Sequence, residues 1–496
     1  MSRREWLLFA LYGVLMTLGA WHHEPWRDEL RALIVSQVGR SPADLLSLLG
    51  WEGHPSLWYL WLRPWTGLFG PLPGLKLAGL ASALLAGWSL LRLRPLALWI
   101  RGGVLFSYYW LYEYGVVSRS YGLGLALTCL GVGLWLERRR RWGPALLLGL
   151  AANSHVLIAL INLPLLAVLV FQDLPADRWR GRGRQLLLAA LLVLLLTAGS
   201  LATAVRGHSQ RVGMHMLNKN LPGPVASPRA VPLDRLLNLG GHLEGLVDPT
   251  IPLQAARLPQ RPALRPLLTG LNLSVVMLLW LGLLRRSPLV AVGYTLPSLA
   301  VLLGFFQFVY PPHPWHLGLP WLVLVLSLLL ASRSPPGRPR RPWGLQRLNG
   351  GLLILLLLLS DLHGLHAWTV DWRAPFSAAL AAEQALGSRG IPRERRIIAD
   401  PELADSLWAS GGFRPVPVLP HQPPLLLPWP RLRRLPEAEA CRLARELHAD
   451  GRGPVAIVRN ANQRRPTGPD GQPLHDCGRR LSLPASREPI DLYLLD

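Results

Sequence analysis

Residues 185–205 read QLLLAALLVLLLTAGSLATAV, a stretch without a single charged side chain. About 20 apolar residues are what an α-helix needs to cross the hydrocarbon core of a bilayer. The stretch follows the basic residues Arg178, Arg180, Arg182 and Arg184, which are typical of a cytoplasmic helix end. The sequence therefore predicts a membrane-spanning helix here.

Similar apolar segments recur along the chain and predict about eleven membrane-spanning helices. They lie at Trp6–Ala20, Leu72–Leu91, Pro95–Leu111, Tyr121–Leu136, Pro144–Asn153, Val156–Phe171, Gln185–Val205, Leu264–Leu284, Pro288–Phe308, Leu317–Ala331 and Leu348–Leu362. The short pair around Asn153 and His155 leaves this number open by one or two. The first segment is interpreted as a retained helix rather than a signal peptide, because no small-residue cleavage site follows it.

The composition supports a membrane protein. Hydrophobic residues make up 50% of the 496 residues, charged residues only 16%, and the mean hydropathy is +0.27. An average soluble domain is about 25% charged, so the composition disfavours an ordinary soluble enzyme. It also excludes a disordered chain, because Leu, Val and Trp are abundant. A content of 3 cysteines excludes a disulfide-rich mini-protein.

The net charge of +23 comes almost entirely from arginine, since Lys76 and Lys219 are the only lysines. In a soluble protein this charge would suggest nucleic-acid binding. Here the arginines stand in short clusters between apolar segments, which is the positive-inside pattern. The richest clusters, 138–141, 178–184 and 338–341, all fall on one predicted side. The N-terminus is therefore predicted to be cytoplasmic, in a multi-pass protein of the bacterial inner membrane.

This orientation places the loops 21–71 and 206–262 and the C-terminal tail outside the cytoplasm. The chain accordingly divides into a membrane domain, 1–365, and an extracytoplasmic domain, 366–496. In the tail, helix-like stretches alternate with strand-like runs, which predicts a small α/β domain. The helix-like stretches are Phe376–Ser388 and Glu437–His448, and the strand-like runs are Arg396–Ala399, Val455–Val458 and Asp491–Leu495.

The tail also contains Cys441 and Cys477. In an oxidising compartment two cysteines can form a disulfide bond. Two unpaired thiols are an equally acceptable interpretation of the same residues.

Polar residues gather at the predicted outer ends of the helices. The acidic pair Asp28–Glu29 follows the first helix closely, with Arg31 beside it. A carboxylate can accept a proton during a reaction, and the planar guanidinium of arginine can donate two hydrogen bonds to a phosphate. The aromatic stretch Gly50–Leu60, which contains Glu52 and His54, is typical of a helix lying in the membrane interface.

A second polar group follows the third predicted span. Glu113 stands in a tyrosine-rich turn, and Arg119 and Tyr121 open the next helix. Each of these residues also has a purely structural interpretation. Asp28 and Glu29 favour the first turn of a helix, where acids complement the helix dipole. Arg119 would equally pair with Glu113 as a salt bridge.

These motifs, in this order, resemble the GT-C superfamily of integral-membrane glycosyltransferases. The likeness is to the branch containing protein O-mannosyltransferases and the lipid A aminoarabinose transferase. The acidic pair Asp28–Glu29 after the first helix matches the family pattern. Residues Gly53–Tyr59 match a Gly-x-Pro-Pro-Leu-Tyr-Tyr-like stretch, with His54 and Ser56 as departures. Residues Ser118–Tyr121 match an Ala-Arg-x-Tyr-like motif at the start of a helix.

The resemblance implies an enzyme that transfers a sugar from a polyprenyl-phosphate donor to an acceptor hydroxyl, with inversion, at the outer membrane face. Asp28, with Glu29, is the candidate catalytic base. Arg119 is the first candidate for binding the lipid phosphate, and Arg31 is the second. The remaining candidates for substrate binding are Glu52, His54, Glu113 and Tyr121. The acceptor is a glycan, a lipid or a protein, and no nucleic acid is expected.

No cofactor is assigned. The histidines His22, His23, His54, His313 and His316 match no familiar metal-ligand spacing, so no metal site is predicted. Related lipid-dependent transferases include metal-dependent and metal-free branches, and a divalent metal remains an open alternative.

Two other functions fit a polytopic membrane protein. A transporter or flippase of lipid-linked intermediates would carry ionisable residues at mid-membrane and internally repeated halves. The polar groups of this chain crowd the helix ends instead, which favours the enzyme. A non-catalytic membrane subunit would recruit a partner through its tail, and residues Asp28 and Arg119 would then be dispensable.

Overall fold

The computed structural model describes residues 1–38, 41–52, 54–137, 140–173, 179–209, 265–308, 314–333, 343–412, 414–416, 437–460, 478–483, 486 and 490–495. Most of the predicted loop 206–262 lies outside these residues, as do His313, Cys477 and parts of the arginine clusters. The chain forms two compact units. The first consists of Met1–Leu18, Gly53–Trp58 and Gly79–Trp368, and the second of Gly19–Glu52, Tyr59–Ala78 and Thr369–Asp496.

Helices dominate both units. The longer α-helices, numbered in chain order, are α1 (Arg3–His22), α2 (Arg27–Val38), α3 (Pro42–Glu52), α4 (Leu57–Phe69), α5 (Pro71–Leu91), α6 (Leu98–Phe106), α7 (Ser120–Glu137), α8 (Trp142–Ala152), α9 (Val156–Asp173), α10 (Trp179–Ser209), α11 (Arg265–Arg286), α12 (Leu296–Phe308), α13 (Gly318–Ser332), α14 (Trp343–Arg373), α15 (Ala379–Ser388), α16 (Pro401–Gly411) and α17 (Glu437–Ala449).

Within the described residues, 6 helical segments are long and apolar enough to cross a membrane. They are Pro71–Leu91, Ser120–Glu137, Val156–Asp173, Gly183–Thr203, Pro288–Phe306 and Arg347–Arg373. The predicted spans at Pro144–Asn153 and Leu317–Ala331 correspond to the shorter apolar helices α8 and α13. A polytopic helical membrane protein is therefore confirmed.

The predicted span Pro95–Leu111 is interrupted. Helix α6 has only 9 residues, and a short π-helix, Tyr109–Glu113, follows it. The break lies at Ser107, whose backbone is extended, with φ −63° and ψ 156°. A helix rises 1.5 Å per residue, so α6 is too short to cross about 30 Å of hydrocarbon. Apolar composition predicted the segment but not this break.

Two other boundaries differ from the sequence-based ones. Residues 50–60, predicted as one interfacial helix, belong to the end of α3 and the start of α4. Helix α14 continues as far as Arg373, beyond the predicted end of the last span at Leu362. The extension occurs because His363, His366 and Asp371 interrupt the hydropathy of the segment without ending the helix.

The second unit contains a five-stranded sheet with strand order β2-β1-β3-β5-β4. The strands are β1 (Glu394–Ala399), β2 (Arg414–Val416), β3 (Val455–Asn460), β4 (Arg479–Leu481) and β5 (Ile490–Leu495). Strand β1 is parallel to β2 and β3, whereas β5 is antiparallel to β3 and β4. The predicted small α/β domain is confirmed, with all three predicted strands and both predicted helices present.

Alternation along the strands gives this sheet two apolar faces. On one face, Ile397, Ala456 and Leu492 pack against α15 and α16. On the other, Ile398, Ile457 and Tyr493 pack against α17, which contributes Ala440, Cys441 and Ala444. Helices on both faces explain why Ile397–Ala399 of β1 and Val455–Val458 of β3 are continuous apolar runs.

The two cysteines in the described residues differ in their bonding state. Cys441 lies on the buried side of α17 and is disulfide-bonded. Its candidate partner Cys477 lies outside the described residues. Cys129 is a free thiol buried in α7.

Candidate functional site

Glu29 is part of a buried charged group in the second unit. Its Oε2 lies 2.9 Å from Nε2 of His23, and Nδ1 of the same ring lies 2.8 Å from Oδ2 of Asp371. Glu29 is 0% exposed, and the other two side chains are 2% and 5% exposed. Burial by itself lowers the pKa of His23, but the two carboxylates outweigh burial and raise it to about 10. The imidazole is therefore a cation between two carboxylates.

Glu29 also caps helix α2. Its Oε2 accepts a hydrogen bond of 3.1 Å from the backbone N–H of Trp26, the residue before the helix. A glutamate at the third helical position that reaches back to the N-cap is half of a capping box. The structural interpretation of the acidic pair thus holds for Glu29.

Asp28 has different surroundings from Glu29. Its side chain is 21% exposed, and its Oδ1 lies 3.5 Å from Nε of Arg27. It stands in the first turn of α2, where the helix dipole favours a negative charge. Of the two predicted catalytic acids, Asp28 is the one whose carboxylate reaches the surface.

Arg31 and Glu52, both predicted to bind substrate, form a buried ion pair. Nη2 of Arg31 lies 2.6 Å from Oε1 of Glu52, and Nε donates to the same oxygen over 3.1 Å. The two side chains are 7% and 5% exposed. The pair joins α2 to the end of α3 and neutralises the charge of Arg31, which weakens the case for Arg31 as a phosphate ligand.

A cavity of about 630 Å³ opens in the second unit. Its lining includes the aromatic rings of Trp21 and Trp372 and the charged side chains of Glu24, Lys76 and Arg373. Burial raises the pKa of Glu24, although its carboxylate accepts the backbone N–H of Leu380 over 2.8 Å. This cavity combines apolar walls with charges of both signs.

In the first unit, a row of aromatic rings surrounds the start of α7. Tyr114 and Tyr121 are stacked, with ring centroids 4.8 Å apart and an angle of 16° between the planes. Tyr121 in turn lies 4.3 Å from His155, and His155 lies 5.6 Å from His54. His316 joins this row at 6.4 Å from both Tyr121 and His155. We call these five rings the ring cluster.

Arg119 lies over the ring cluster. Its guanidinium carbon is 5.0 Å from the ring centroid of Trp315 and 5.5 Å from that of Tyr121. Stacking on aromatic faces is a property of arginine that lysine does not share fully. The two rings therefore hold the guanidinium in a fixed position at the N-terminal end of α7.

Glu113 is buried at the end of the π-helix. It accepts a hydrogen bond of 2.7 Å from the hydroxyl of Tyr108, whose ring lies 4.2 Å from that of His363. A π-turn often marks a functional site in a helix. Here the π-helix carries Glu113, and its first residue, Tyr109, lies 5.6 Å from Tyr114 of the ring cluster.

Two glycines make room for the ring cluster. A Cβ on Gly318 would lie 2.4 Å from Cδ1 of Tyr109 and 2.5 Å from the hydroxyl oxygen of Tyr114. A Cβ on Gly124 would lie 2.4 Å from Oγ of Ser154, in the turn that carries His155. These close approaches bring the start of α13 against the π-helix region, and the turn between α8 and α9 against α7.

The first and second units each contain part of the predicted set of residues. Arg119, Tyr121 and His54 come together in the ring cluster or over it, with Glu113 on the preceding turn. Asp28, Glu29, Arg31 and Glu52 belong to the second unit. Their roles in substrate binding remain predictions.

Sequence reasoning missed His155, Trp315 and Asp371. Their only signal was polarity or aromaticity at the edge of an apolar segment, which gives no indication of a partner. Among the described residues, no group of three or more His, Cys, Asp or Glu side chains is arranged to hold a metal ion.

Comparisons with known proteins give one structural match. No protein-family model matches the sequence, and no curated protein matches it. The chain is similar to the crystal structure of ArnT from Cupriavidus metallidurans in the apo state. The two chains are 13% identical, and the match covers 98% of this chain and 97% of that chain with a TM-score of 0.48.

Proposed function

We propose that this protein is an inverting glycosyltransferase that moves a sugar from a polyprenyl-phosphate donor to an acceptor hydroxyl at the extracytoplasmic membrane face. The observation that carries the proposal is the guanidinium of Arg119, held over Trp315 and Tyr121 at the start of the membrane-spanning helix α7. A fixed cation at the end of a span suits a phosphate whose lipid chain lies in the bilayer. The resemblance of the motifs to the GT-C superfamily supports the same function.

In the proposed reaction, the acceptor oxygen attacks the anomeric carbon of the sugar. The new glycosidic C–O bond forms while the bond from the anomeric carbon to the phosphate oxygen breaks. The acceptor proton passes to a carboxylate, and polyprenyl phosphate leaves with the bonding electrons. Because a phosphate is a good leaving group at neutral pH, the step requires a base and cationic stabilisation but no strong general acid.

Asp28 is the proposed base. Its carboxylate is partly exposed, whereas Glu29 is fully buried and bonded to His23. A general base must reach the proton that it removes, and surface access gives Asp28 that property. Glu29 then acts indirectly, by fixing the first turn of α2 on which Asp28 stands.

Arg119 is the proposed phosphate ligand. Its planar fork can donate two parallel hydrogen bonds to phosphate oxygens. Tyr121 and His54, which belong to the ring cluster, are proposed to contact the substrate. Glu113, on the preceding π-helix, is proposed to do the same. Arg31 and Glu52 are proposed to shape the binding region as a pair, because each already neutralises the other.

The proposal is tested by sugar transfer in membranes supplied with radiolabelled polyprenyl-phosphate sugars. Wild type is compared with Asp28→Asn at matched expression, and Glu446→Gln serves as the control. Glu446 is an exposed acid on α17, 55% exposed and paired with Arg442. We expect transfer by the wild type and the control, and a loss of at least about a hundredfold in Asp28→Asn, as is usual for removal of a general base.

Equal transfer in all three proteins would remove Asp28 from the mechanism. Absence of transfer with any donor, combined with movement of the lipid-linked sugar across the membrane, would indicate a transporter instead.

A further inference from the structure

His155 carries a buried hydrogen-bond donor that the mechanism above does not use. It lies in the turn between α8 and α9 and is 2% exposed. Among the described residues, Nε2 of His155 has no hydrogen-bond partner. A buried donor without a partner costs free energy, so its retention requires an explanation.

The protonation of this ring follows from its backbone contact. Nδ1 of His155 accepts the N–H of Leu157 over 3.2 Å. Burial, and then His54, His316 and Arg119, hold the pKa of His155 well below its usual range. The imidazole is therefore neutral, and since Nδ1 is an acceptor, its single proton is on Nε2.

The turn fixes the position of the ring. Ser154 Oγ donates to the carbonyl of Ala151 over 2.6 Å, and the N–H of Leu57 donates to the carbonyl of Asn153 over 3.0 Å. The second bond ties the turn to the segment that carries His54. On its other side the ring of His155 lies 4.3 Å from Tyr121, over whose face Arg119 also lies.

An anion is the ligand class that suits these surroundings. A carboxylate of the protein would have satisfied Nε2, but the rings around His155 belong to two histidines and a tyrosine. Arg119 supplies the positive charge, and a neutral N–H adds a directed donor without the repulsion of a second cation. Phosphate oxygens accept bonds from both kinds of donor.

We propose that His155 and Arg119 form one phosphate subsite, in which Nε2–H of His155 donates to a non-bridging oxygen of the phosphate of a polyprenyl phosphate, free or linked to the sugar. The inference deepens the proposed function and rests on it for the identity of the lipid. It assigns to His155 a role in ligand binding rather than in proton transfer.

The test is direct binding of bare polyprenyl phosphate to the purified protein in detergent, which requires no turnover. The variants are His155→Phe, which keeps an aromatic ring but removes the donor, and His155→Gln, which keeps an amide donor. His448→Phe, at an exposed position on α17, is the matched control. We expect about ten- to hundredfold weaker binding in His155→Phe, the effect of losing one hydrogen bond to a charged group, and near-normal binding in His155→Gln and the control.

A second measurement follows the wild type alone once the signal of His155 has been assigned. The ¹⁵N signal of Nε2, identified by its loss in His155→Gln, should shift when polyprenyl phosphate is added. Inorganic phosphate and an anionic phosphodiester lipid are the comparison ligands. A shift with inorganic phosphate as well would assign the subsite to phosphate in general, whereas a shift with polyprenyl phosphate alone would assign it to the lipid-linked form.

Unchanged binding in His155→Phe, or an Nε2 signal that no phosphate moves, would overturn the inference. Binding that depends on His155 in a protein without transfer activity would retain the subsite and reject the transferase.

Discussion

Nε2 of His23 lies 2.9 Å from Oε2 of Glu29, and both side chains are buried. The sequence presents Asp28 and Glu29 as an adjacent acidic pair, but this contact gives them different surroundings. Glu29 belongs to a structural ion group that also includes Asp371, while Asp28 keeps an exposed edge.

The ion group around His23 should make stability depend on pH. Folding raises the pKa of His23 from about 6.5 to about 10, so its contribution is complete below pH 6.5 and is lost as the pH rises through 10. We expect the unfolding temperature of the wild type in detergent to fall between pH 7 and 10. His23→Gln should unfold at a lower temperature at pH 6.5 and show a flatter profile. Parallel profiles for the two proteins would contradict the assignment.

Asp28 and Glu29 should give opposite phenotypes. Asp28→Asn should lose sugar transfer while its unfolding temperature stays within about a degree, because surface substitutions usually change stability by less than about 0.5 kcal/mol. Glu29→Gln should lose about 1.5–3 kcal/mol of stability, since it weakens one hydrogen bond to the buried charge of His23 while Asp371 still pairs with that charge. Thermal unfolding and transfer assays on the same preparations check both. A destabilised Asp28→Asn would place its carboxylate in the structural group instead.

Arg31 and Glu52 should behave as one unit. Each single change, Arg31→Met or Glu52→Gln, leaves a buried charge without its partner and should cost about 3–5 kcal/mol. The double variant should cost clearly less than the sum of the two, because it leaves no unpaired charge. Denaturant unfolding of the four proteins measures the coupling. Additive costs would mean that the 2.6 Å contact contributes nothing.

Replacement of Arg119 by lysine should weaken binding of the lipid-linked donor. A lysine keeps the charge but loses the planar fork and much of the stacking on Trp315 and Tyr121. We expect Arg119→Lys to raise the KM for the lipid-linked donor by about tenfold or more, the effect of one lost charge-assisted hydrogen bond. Arg92→Lys is the matched control, because Arg92 also stacks on a ring, that of Trp88, at 4.9 Å. Equal effects of the two substitutions would indicate a structural role for Arg119.

Much of the fold follows from local sequence patterns. Long apolar stretches predict the spans, and the short strand-like runs Val455–Val458 and Asp491–Leu495, which alternate with helix-like stretches, predict strands of the small domain. The break at Ser107 was not predicted, because hydropathy averages over the residues that cause it. The role of Asp28 stays a prediction, whereas the buried ion group of Glu29 and His23 includes Asp371, which lies 348 positions after His23 and which no local pattern connects with it.

Only part of the ring cluster could be predicted from the sequence. Arg119 and Tyr121 stand in a recognisable motif, but His155 and Trp315 reach them through helix packing. No local pattern connects residue 121 with residue 155 or residue 119 with residue 315. Their proximity depends on close approaches at Gly124 and Gly318, and in sequence these glycines look like any others in an apolar helix.

Covalent transfer of a sugar from a lipid phosphate distinguishes the proposed enzyme from a transporter. The most direct measurement uses purified protein in proteoliposomes with a polyprenyl-phosphate sugar labelled in the sugar, and follows both the lipid and the label. We predict that each glycoside formed is accompanied by one molecule of free polyprenyl phosphate, that the anomeric configuration is inverted, and that Arg119→Gln abolishes both products. If the label instead crosses the bilayer still attached to its lipid, the protein is a transporter and the proposed function is wrong.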